Sequence, residues 1–187
     1  MPLPTTPLDL PIGPRFAFDR RVCVAANRWG ARRAVWLLFA AASRLGDGVG
    51  WYALMLALAL IGGRRGMEAA AQMAATGLVA LLLYRLLKRW TRRPRPYRNC
   101  PGVIARMPPL DEFSFPSGHT LQAVSFTVVA LSWYPALGYL LWPFTALVAA
   151  SRVVLGLHYP SDVLAATAIG ATLGVGSLWL VSLLPLL

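Results

Sequence analysis

The sequence predicts an all-α integral membrane protein, a bundle of six helices, from its composition and from its long apolar segments. Hydrophobic residues make up 57% of the 187 residues, charged residues only 13%, and the mean hydropathy is +0.58. Ordinary soluble domains carry about 25% charged residues. A helix that crosses a bilayer needs about twenty mostly apolar residues, and apolar segments near that length recur along the chain.

The N-terminal part of the chain differs in composition from the rest. Residues 1–14 contain five prolines and no apolar core of the kind that signal peptides have, so we expect an extended tail. Residues 15–33 place apolar side chains at steps of three and four from Phe18 to Trp29, between arginines. This spacing predicts a basic amphipathic helix in the membrane interface. A basic lead-in to the first span explains it equally well, and the sequence leaves both open.

Residues 34–187 form the predicted transmembrane domain. Breaks such as Gly46-Asp47-Gly48, Gly62-Gly63 and Pro135 divide it into apolar segments. The six candidate spans are residues 34–46, 48–63, 67–87, 117–134, 136–157 and 163–184. The first is short, so the sequence leaves open whether it crosses the whole bilayer.

The net charge of +11 is concentrated beside these spans. With six spans both chain ends share one side, and the arginines of residues 15–33, together with Arg64 and Arg65, predict that this side is the cytoplasm. Residues 88–106 carry seven basic groups and would then face outward, against the usual tendency. Binding an anion would explain their charge. Because the charge flanks apolar segments, we expect membrane lipids as partners and no nucleic acid.

Three short motifs carry most of the remaining polar residues. Residues 88–96 read KRWTRRPRP, which has the form K-x6-R-P. Residues 116–119 read PSGH at the start of a span, and residues 151–162 read SRVVLGLHYPSD, which contains S-R-x5-H-x3-D. Ionisable groups are costly at membrane depth, so their presence between apolar segments indicates a functional site.

The motifs supply the groups that a phosphate site needs. Arginine can bind two phosphate oxygens at once, and lysine contributes a point charge. A serine cap followed by glycine leaves the free N–H groups of a helix start pointing at an anion. The predicted phosphate-binding residues are therefore Lys88, Arg95, Ser117, Gly118 and Arg152. Four neighbouring arginines are expected only to extend to the membrane interface: Arg85, Arg89, Arg92 and Arg93.

The only two histidines, His119 and His158, both fall within motifs. Phosphate transfer requires attack on phosphorus and protonation of the leaving oxygen, and two histidines can share this work. Asp162, just after Tyr159-Pro160-Ser161, is a natural cap for the last span. The seven acidic residues are scattered, so we expect no metal ion and no cofactor.

In this order, the three motifs resemble those of the type 2 phosphatidic acid phosphatases. This superfamily of membrane lipid phosphatases shares its helical core with the vanadium haloperoxidases and soluble acid phosphatases. All eleven fixed motif positions match, and the motifs cover roughly residues 85–165. The resemblance implies that His158 attacks phosphorus to form a phosphohistidine, that Asp162 orients His158, and that His119 protonates the leaving group.

The resemblance also implies a lipid phosphate or diphosphate substrate, such as undecaprenyl diphosphate, phosphatidylglycerophosphate or phosphatidic acid, with lipid A phosphates a further candidate. The expected location is the bacterial inner membrane, with several spans and the site facing the periplasm. Two alternatives remain: a lipid phosphotransferase that passes the phosphate to a lipid acceptor, and a non-enzymatic transporter of anionic lipids. The sequence does not determine the oligomeric state.

Overall fold

A computed structural model describes residues 14–183, with side chains from residue 17 onward, and this part of the chain is helical and contains no strand. The all-α prediction is therefore confirmed. The predicted N-terminal tail lies, except for Pro14, outside the described residues.

Eight α-helices occur in the described range. They are α1 (Pro14–Trp29), α2 (Arg33–Arg44), α3 (Gly50–Ile61), α4 (Gly63–Thr91), α5 (Pro96–Asn99), α6 (Gly118–Trp133), α7 (Gly138–Val154) and α8 (Pro160–Leu183). A π-helical turn, Leu45–Val49, joins α2 to α3, and a 3-10 turn, Pro135–Leu137, leads into α7. If α2 and α3 are counted as one kinked helix and the single turn α5 is left out, the described residues form six long helices, the predicted number, with α1 in the place of one predicted span.

Four of these helices are long and apolar enough to cross a membrane: Arg33–Ile61, Gly63–Asn99, Pro135–Val154 and Pro160–Leu183. The shorter α6 lies between them and packs on α4, α7 and α8. Glycines allow this close approach. A β-carbon at Gly77 would lie 2.6 Å from the ring of Phe126, and one at Gly170 would lie 2.6 Å from the carbonyl oxygen of Leu121. Small residues serve the same purpose at other membrane helix contacts.

The predicted spans 34–46 and 48–63 are not two spans, and that prediction is wrong. The helices α2 and α3 meet at a kink, where the φ and ψ values of Asp47 and Gly48 are not helical, and together they form one 29-residue candidate span, Arg33–Ile61. Gly48 adopts a φ of +116°, a conformation open to glycine but strained for other residues. The glycines therefore bend the helix at Asp47 and do not end it.

Helix α1 packs on the end of the bundle through a polar stripe and not through its apolar face. Asp19, Cys23 and Asn27, four residues apart, are buried. Phe18 and Trp29 are 65% and 46% exposed, so the apolar face is left available to lipid. This arrangement is compatible with an interfacial helix, which remains a prediction.

Joining α2 and α3 also changes the predicted topology. The arginines of α1 lie beside the start of α2, whereas Arg64 and Arg65 follow the end of α3, one bundle length away. The prediction that these two basic groups share one side of the membrane is therefore wrong, because it counted one bent helix as two crossings. The basic loop between α4 and α6 lies at the same end as α1.

Candidate active site

A cavity of about 450 Å³ opens at the end of the bundle that carries α1 and the loop between α4 and α6. Fifteen residues line it: Asp47, Tyr84, Arg85, Lys88, Arg89, Arg95, Leu110, Asp111, Glu112, Phe113, Gly118, His119, Gln122, Arg152 and His158. Six of the eight predicted site residues are among them. The other two, Ser117 and Asp162, are fully buried and support the residues of the wall.

The two cations of the first motif share one carboxylate. Lys88 Nζ lies 2.6 Å from Asp111 Oδ2, and Arg95 Nη2 lies 2.9 Å from Asp111 Oδ1. Lys88 and Arg95 are 6% and 1% exposed. Burial alone would raise the pKa of Asp111, but hydrogen bonds and positive charge from Lys88 and Arg95 outweigh it and lower that pKa. Asp111 therefore remains ionised at the position where these cations would meet a phosphate.

Arg152 adds a third buried cation from the last turn of α7. It is 3% exposed, lines the cavity and donates a hydrogen bond from Nη1 to the hydroxyl of Ser43 on α2. Its Nε has no hydrogen-bond partner among the described residues. A buried donor without a partner is costly, and an anion in the cavity is the kind of group that would satisfy it.

His158 lies in the turn between α7 and α8 and is 1% exposed. Gly156 forms this turn with a φ of +75°, and a β-carbon there would come within 2.6 Å of the Ile104 carbonyl oxygen, so glycine is required. The backbone N–H groups of Leu157 and His158 both donate to the carbonyl of Arg152 at 3.0 Å. The turn therefore fixes the histidine directly beside the end of the helix that carries Arg152.

The neighbours of His158 define its protonation. Arg95 Nη1 lies 3.2 Å from Nε2, and because a guanidinium only donates, Nε2 accepts and keeps its lone pair. The ring proton then belongs on Nδ1, which lies 3.6 Å from Asp162 Oδ2. Burial, followed by the positive charges of Arg95, Arg152 and Lys88, lowers the pKa of His158 well below its usual value. The ring is therefore neutral and carries its lone pair on Nε2.

Asp162 and His158 lie close together, but the distance between them is too long for the predicted hydrogen bond. The 3.6 Å separation exceeds the usual 2.7–3.2 Å of an N–H···O hydrogen bond. Asp162 Oδ2 instead accepts from the backbone N–H of Tyr159 at 2.9 Å. The carboxylate therefore caps the start of α8 and faces the histidine ring at the same time.

His119 lies on the opposite wall, in the first turn of α6. Ser117 caps this helix as predicted, with its hydroxyl accepting from the N–H of Thr120. His119 Nε2 lies 3.3 Å from Asp47 Oδ1, and the Asp47 side chain is 44% exposed. Sequence reasoning missed Asp47, because Gly46-Asp47-Gly48 was interpreted only as a break. An acidic residue between two apolar segments was the signal that could have revealed it.

Arg93 does not extend to the membrane interface, and that prediction is wrong. Its Nη1 lies 2.6 Å from Asp162 Oδ1 and its Nη2 lies 2.9 Å from Asp19 Oδ2. The guanidinium also lies over the ring of Tyr159, 4.1 Å from the ring centroid. Arg93 therefore belongs to the support of Asp162, whereas Arg85 and Arg89 are exposed at the mouth of the cavity.

These features define a membrane-helix protein with a cationic cavity lined by two histidines. A profile of the PAP2 superfamily matches residues 66–184, and the chain belongs to that superfamily, as its motifs predicted. No group of three histidine, cysteine or acidic side chains that could hold a metal ion occurs among the residues that the structure describes.

Two relatives with named activities resemble the chain over about two thirds of its length. It is 38% identical over 130 residues to the decaprenylphosphoryl-5-phosphoribose phosphatase of Mycobacterium tuberculosis, which covers 67% of this chain and 68% of the relative. It is 29% identical over 126 residues to the undecaprenyl-diphosphatase BcrC of Bacillus subtilis, which covers 67% and 65%.

Solved structures support the same fold. A transmembrane PAP2-type phosphatidylglycerolphosphate phosphatase from Bacillus subtilis superposes with a TM-score of 0.74 at 24% identity, over 92% of this chain and 89% of that one. LpxE of Aquifex aeolicus gives a TM-score of 0.73 at 25% identity, over 88% of this chain and 94% of that one.

Proposed function

We propose that this protein removes phosphate from a membrane lipid phosphate or diphosphate through a phosphohistidine on His158, without a metal ion. One observation carries the proposal: a buried, neutral histidine lines the same cavity as three buried cations, Lys88, Arg95 and Arg152. A neutral imidazole is a nucleophile, and the cations stabilise the charge on the phosphoryl oxygens. PAP2 membership supports the same reaction.

The proposed reaction has two steps. In the first, the lone pair on His158 Nε2 forms a bond to phosphorus, the bond from phosphorus to the lipid oxygen breaks, and His119 gives that oxygen a proton. The ring of His158 becomes positively charged, and the carboxylate of Asp162 stabilises it. In the second step, water attacks the phosphohistidine and His119 takes up the proton, which releases inorganic phosphate and restores both histidines.

Two further arginines favour lipids that carry two phosphates. Arg85 and Arg89, one turn apart on α4, are exposed and line the mouth beyond the three buried cations. A second phosphate on the substrate would meet them as the first enters the cavity. We therefore favour a polyprenyl diphosphate, a polyprenylphosphoryl sugar phosphate or phosphatidylglycerophosphate over phosphatidic acid, which has only one phosphate.

Release of inorganic phosphate from these four lipids, in detergent with EDTA, tests the reaction. Wild type should release phosphate from the two-phosphate lipids faster than from phosphatidic acid, and the substitutions Arg85→Gln and Arg89→Gln together should reduce that preference. Complete loss of activity in EDTA would contradict the metal-free reaction. If an added acceptor lipid captures the phosphate in place of water, the protein is a phosphotransferase. If no lipid is turned over, a transporter becomes the better account.

The charge distribution leads us to propose that the site end faces the cytoplasm. The site end carries the six arginines of residues 15–33 and the basic loop, whereas the opposite end has Arg64 and Arg65. Loops rich in arginine and lysine stay on the cytoplasmic side. This proposal replaces the outward orientation expected from the sequence. That expectation assumed that residues 34–63 cross the membrane twice, whereas they form one candidate span.

Cysteine labelling in intact cells tests the orientation. Both native cysteines are buried, so their background labelling should be low. An impermeant thiol reagent should label the variant Arg64→Cys, at the far end, in intact cells, and Pro108→Cys, at the site end, only after lysis. Labelling of Pro108→Cys in intact cells would place the site outside.

A further inference from the structure

Asp19 on α1 is a buried carboxylate that does not line the phosphate cavity. It is 4% exposed and is the only acidic residue of α1. Its oxygens accept from Arg93 Nη2 at 2.9 Å, from the backbone N–H of Ser161 at 3.0 Å and from the Ser161 hydroxyl. Arg93 and Ser161 both lie next to Asp162. Asp19 therefore contacts the support of the histidine pair and not the substrate site.

Arg93 bridges two carboxylates from distant parts of the chain. Its Nη1 binds Asp162 Oδ1 at 2.6 Å and the Ser161 hydroxyl at 2.9 Å, while its Nη2 binds Asp19. Arg93 is 18% exposed, Asp19 is 6% exposed and Asp162 is fully buried, by side chain, so solvent screens these charges little. Asp19 thus shares the positive charge that would otherwise fall on Asp162 alone.

Asp19 also completes the start of α8. The N–H groups of the first turn of a helix lack partners within the helix. Asp162, the third residue of α8, reaches back to the N–H of Tyr159, as in a capping box. The N–H of Ser161 is taken by Asp19, from a different helix. The position of Asp162 is therefore held partly by α1, 142 residues away in sequence from Ser161.

We infer that Asp19 is a positioning residue for His158, which acts through Arg93 and Asp162 and couples the packing of α1 to the phosphatase site. The inference rests on the proposed function, in which His158 is the nucleophile and Asp162 its partner. The ring of His158 gains positive charge when it is phosphorylated. With Asp19 in place Arg93 is shared, and more of the negative charge of Asp162 is available to that ring.

The chain offers a matched control on the same face of α1. Asn27, two turns further along, is 1% exposed, and its side chain forms hydrogen bonds with the backbone of Ile104 and Val154. Asn27→Ala therefore loosens α1 without changing the ion pairs. Asp19→Asn keeps the shape of the side chain and removes its charge.

The experiment measures two properties of both variants in the full-length protein in detergent. The first is phosphate release, separated into kcat and KM. The second is the nitrogen NMR signal of His158 in protein labelled at histidine, where only two residues contribute and His119→Gln identifies the other. Circular dichroism on heating records the loss of fold for each variant.

We expect Asp19→Asn to lower kcat about tenfold, a part of the roughly 10²–10⁴-fold that a positioned acid–base group contributes. The KM should stay the same, because Lys88, Arg95 and Arg152 are untouched. The His158 Nδ1 signal should move. Asn27→Ala should lower the melting temperature but change kcat and the His158 signal much less than Asp19→Asn does, because it leaves the charge on Asp162 unaltered.

A second variant keeps the inference testable if Asp19→Asn does not fold. Arg93→Lys keeps the charge but cannot bridge both carboxylates, so it should move the His158 signal in the same direction. If neither variant moves that signal, or if Asn27→Ala moves it equally, the inference is wrong. Failure of wild type to release phosphate from any lipid would instead refute the proposed function, and the NMR comparison would still decide the coupling.

Discussion

The two histidines of the cavity have different surroundings. His158 is 1% exposed and is backed by Asp162 and Asp19, both buried, and by the partly exposed Arg93 between them. His119 is also buried, at 8% exposed, but it faces one carboxylate, Asp47, whose side chain is 44% exposed. A nucleophile has to be held still and kept neutral, and burial among cations achieves both. A group that exchanges protons with a leaving oxygen and with water is better placed beside a partner that solvent reaches.

The largest effect on phosphate release should come from the loss of His158. The substitution His158→Ala removes the nucleophile, so phosphate release from every lipid should fall to the level of a sample without enzyme. Release of inorganic phosphate from detergent-solubilised protein measures this. Residual turnover with the kinetics of wild type would mean that His158 carries only a structural role.

A substrate whose leaving group needs no proton should compensate in part for the loss of His119. The substitution His119→Gln removes the proposed acid and should lower kcat on a lipid phosphate by roughly 10²–10⁴-fold. With an aryl phosphate, whose leaving group needs no proton, the first turnover should be slowed far less, although hydrolysis of the phosphohistidine still needs His119. The rapid first release of the aryl alcohol should therefore persist in His119→Gln and be absent in His158→Ala, which sharpens the difference between the two histidines. Equal losses on both substrates would argue against an acid role for His119.

Asp111 should limit how tightly phosphate binds. Because its carboxylate occupies Lys88 and Arg95, the substitution Asp111→Asn should tighten inhibition by inorganic phosphate by roughly tenfold, or about 1.4 kcal/mol. The adjacent Glu112 also lines the cavity but pairs with the exposed Arg98 and provides the control, since Glu112→Gln should change inhibition much less. Weaker inhibition in Asp111→Asn would mean that Asp111 orders the two cations and does not compete with phosphate.

The smallest effect is expected at Asp47. A pair that is partly exposed contributes only roughly 0.2–1 kcal/mol, so the substitution Asp47→Asn should lower kcat about two- to fivefold. In the first turnover with the aryl phosphate the loss should disappear, as we expect for His119→Gln. A loss of the same size on both substrates would mean that Asp47 does not act through His119.

The sequence predicts the residues that the motifs contribute to the cavity better than the residues that support them. The lengths of the apolar segments predict α4, α6, α7 and α8. The motifs identify five residues that the fold places in one cavity: Lys88, Arg95, His119, Arg152 and His158. The contacts that the sequence does not predict form between residues that are far apart in the chain and are brought together by packing. Arg93 and Asp19 are 74 residues apart, and only packing reveals that they meet.

Asp47 and α1 show why local patterns were misleading. Gly-Asp-Gly is typical of a break, and nothing local shows that a π-helical turn continues the helix there. The apolar spacing of α1 is real, yet the buried stripe is Asp19, Cys23 and Asn27. The available signal was the position of Asp19, the lone aspartate, which lies four residues before Cys23 and eight before Asn27.

Trapping the phosphoenzyme tests the central claim most directly. Protein mixed with a lipid phosphate substrate and quenched in alkali, where phosphohistidine survives, can be digested and mapped by mass spectrometry. Phosphate should be found on His158 in wild type and accumulate in His119→Gln treated with the aryl phosphate, and it should be absent in His158→Ala. Phosphate on His119, or rapid turnover with no phosphohistidine at any time point, would contradict the account.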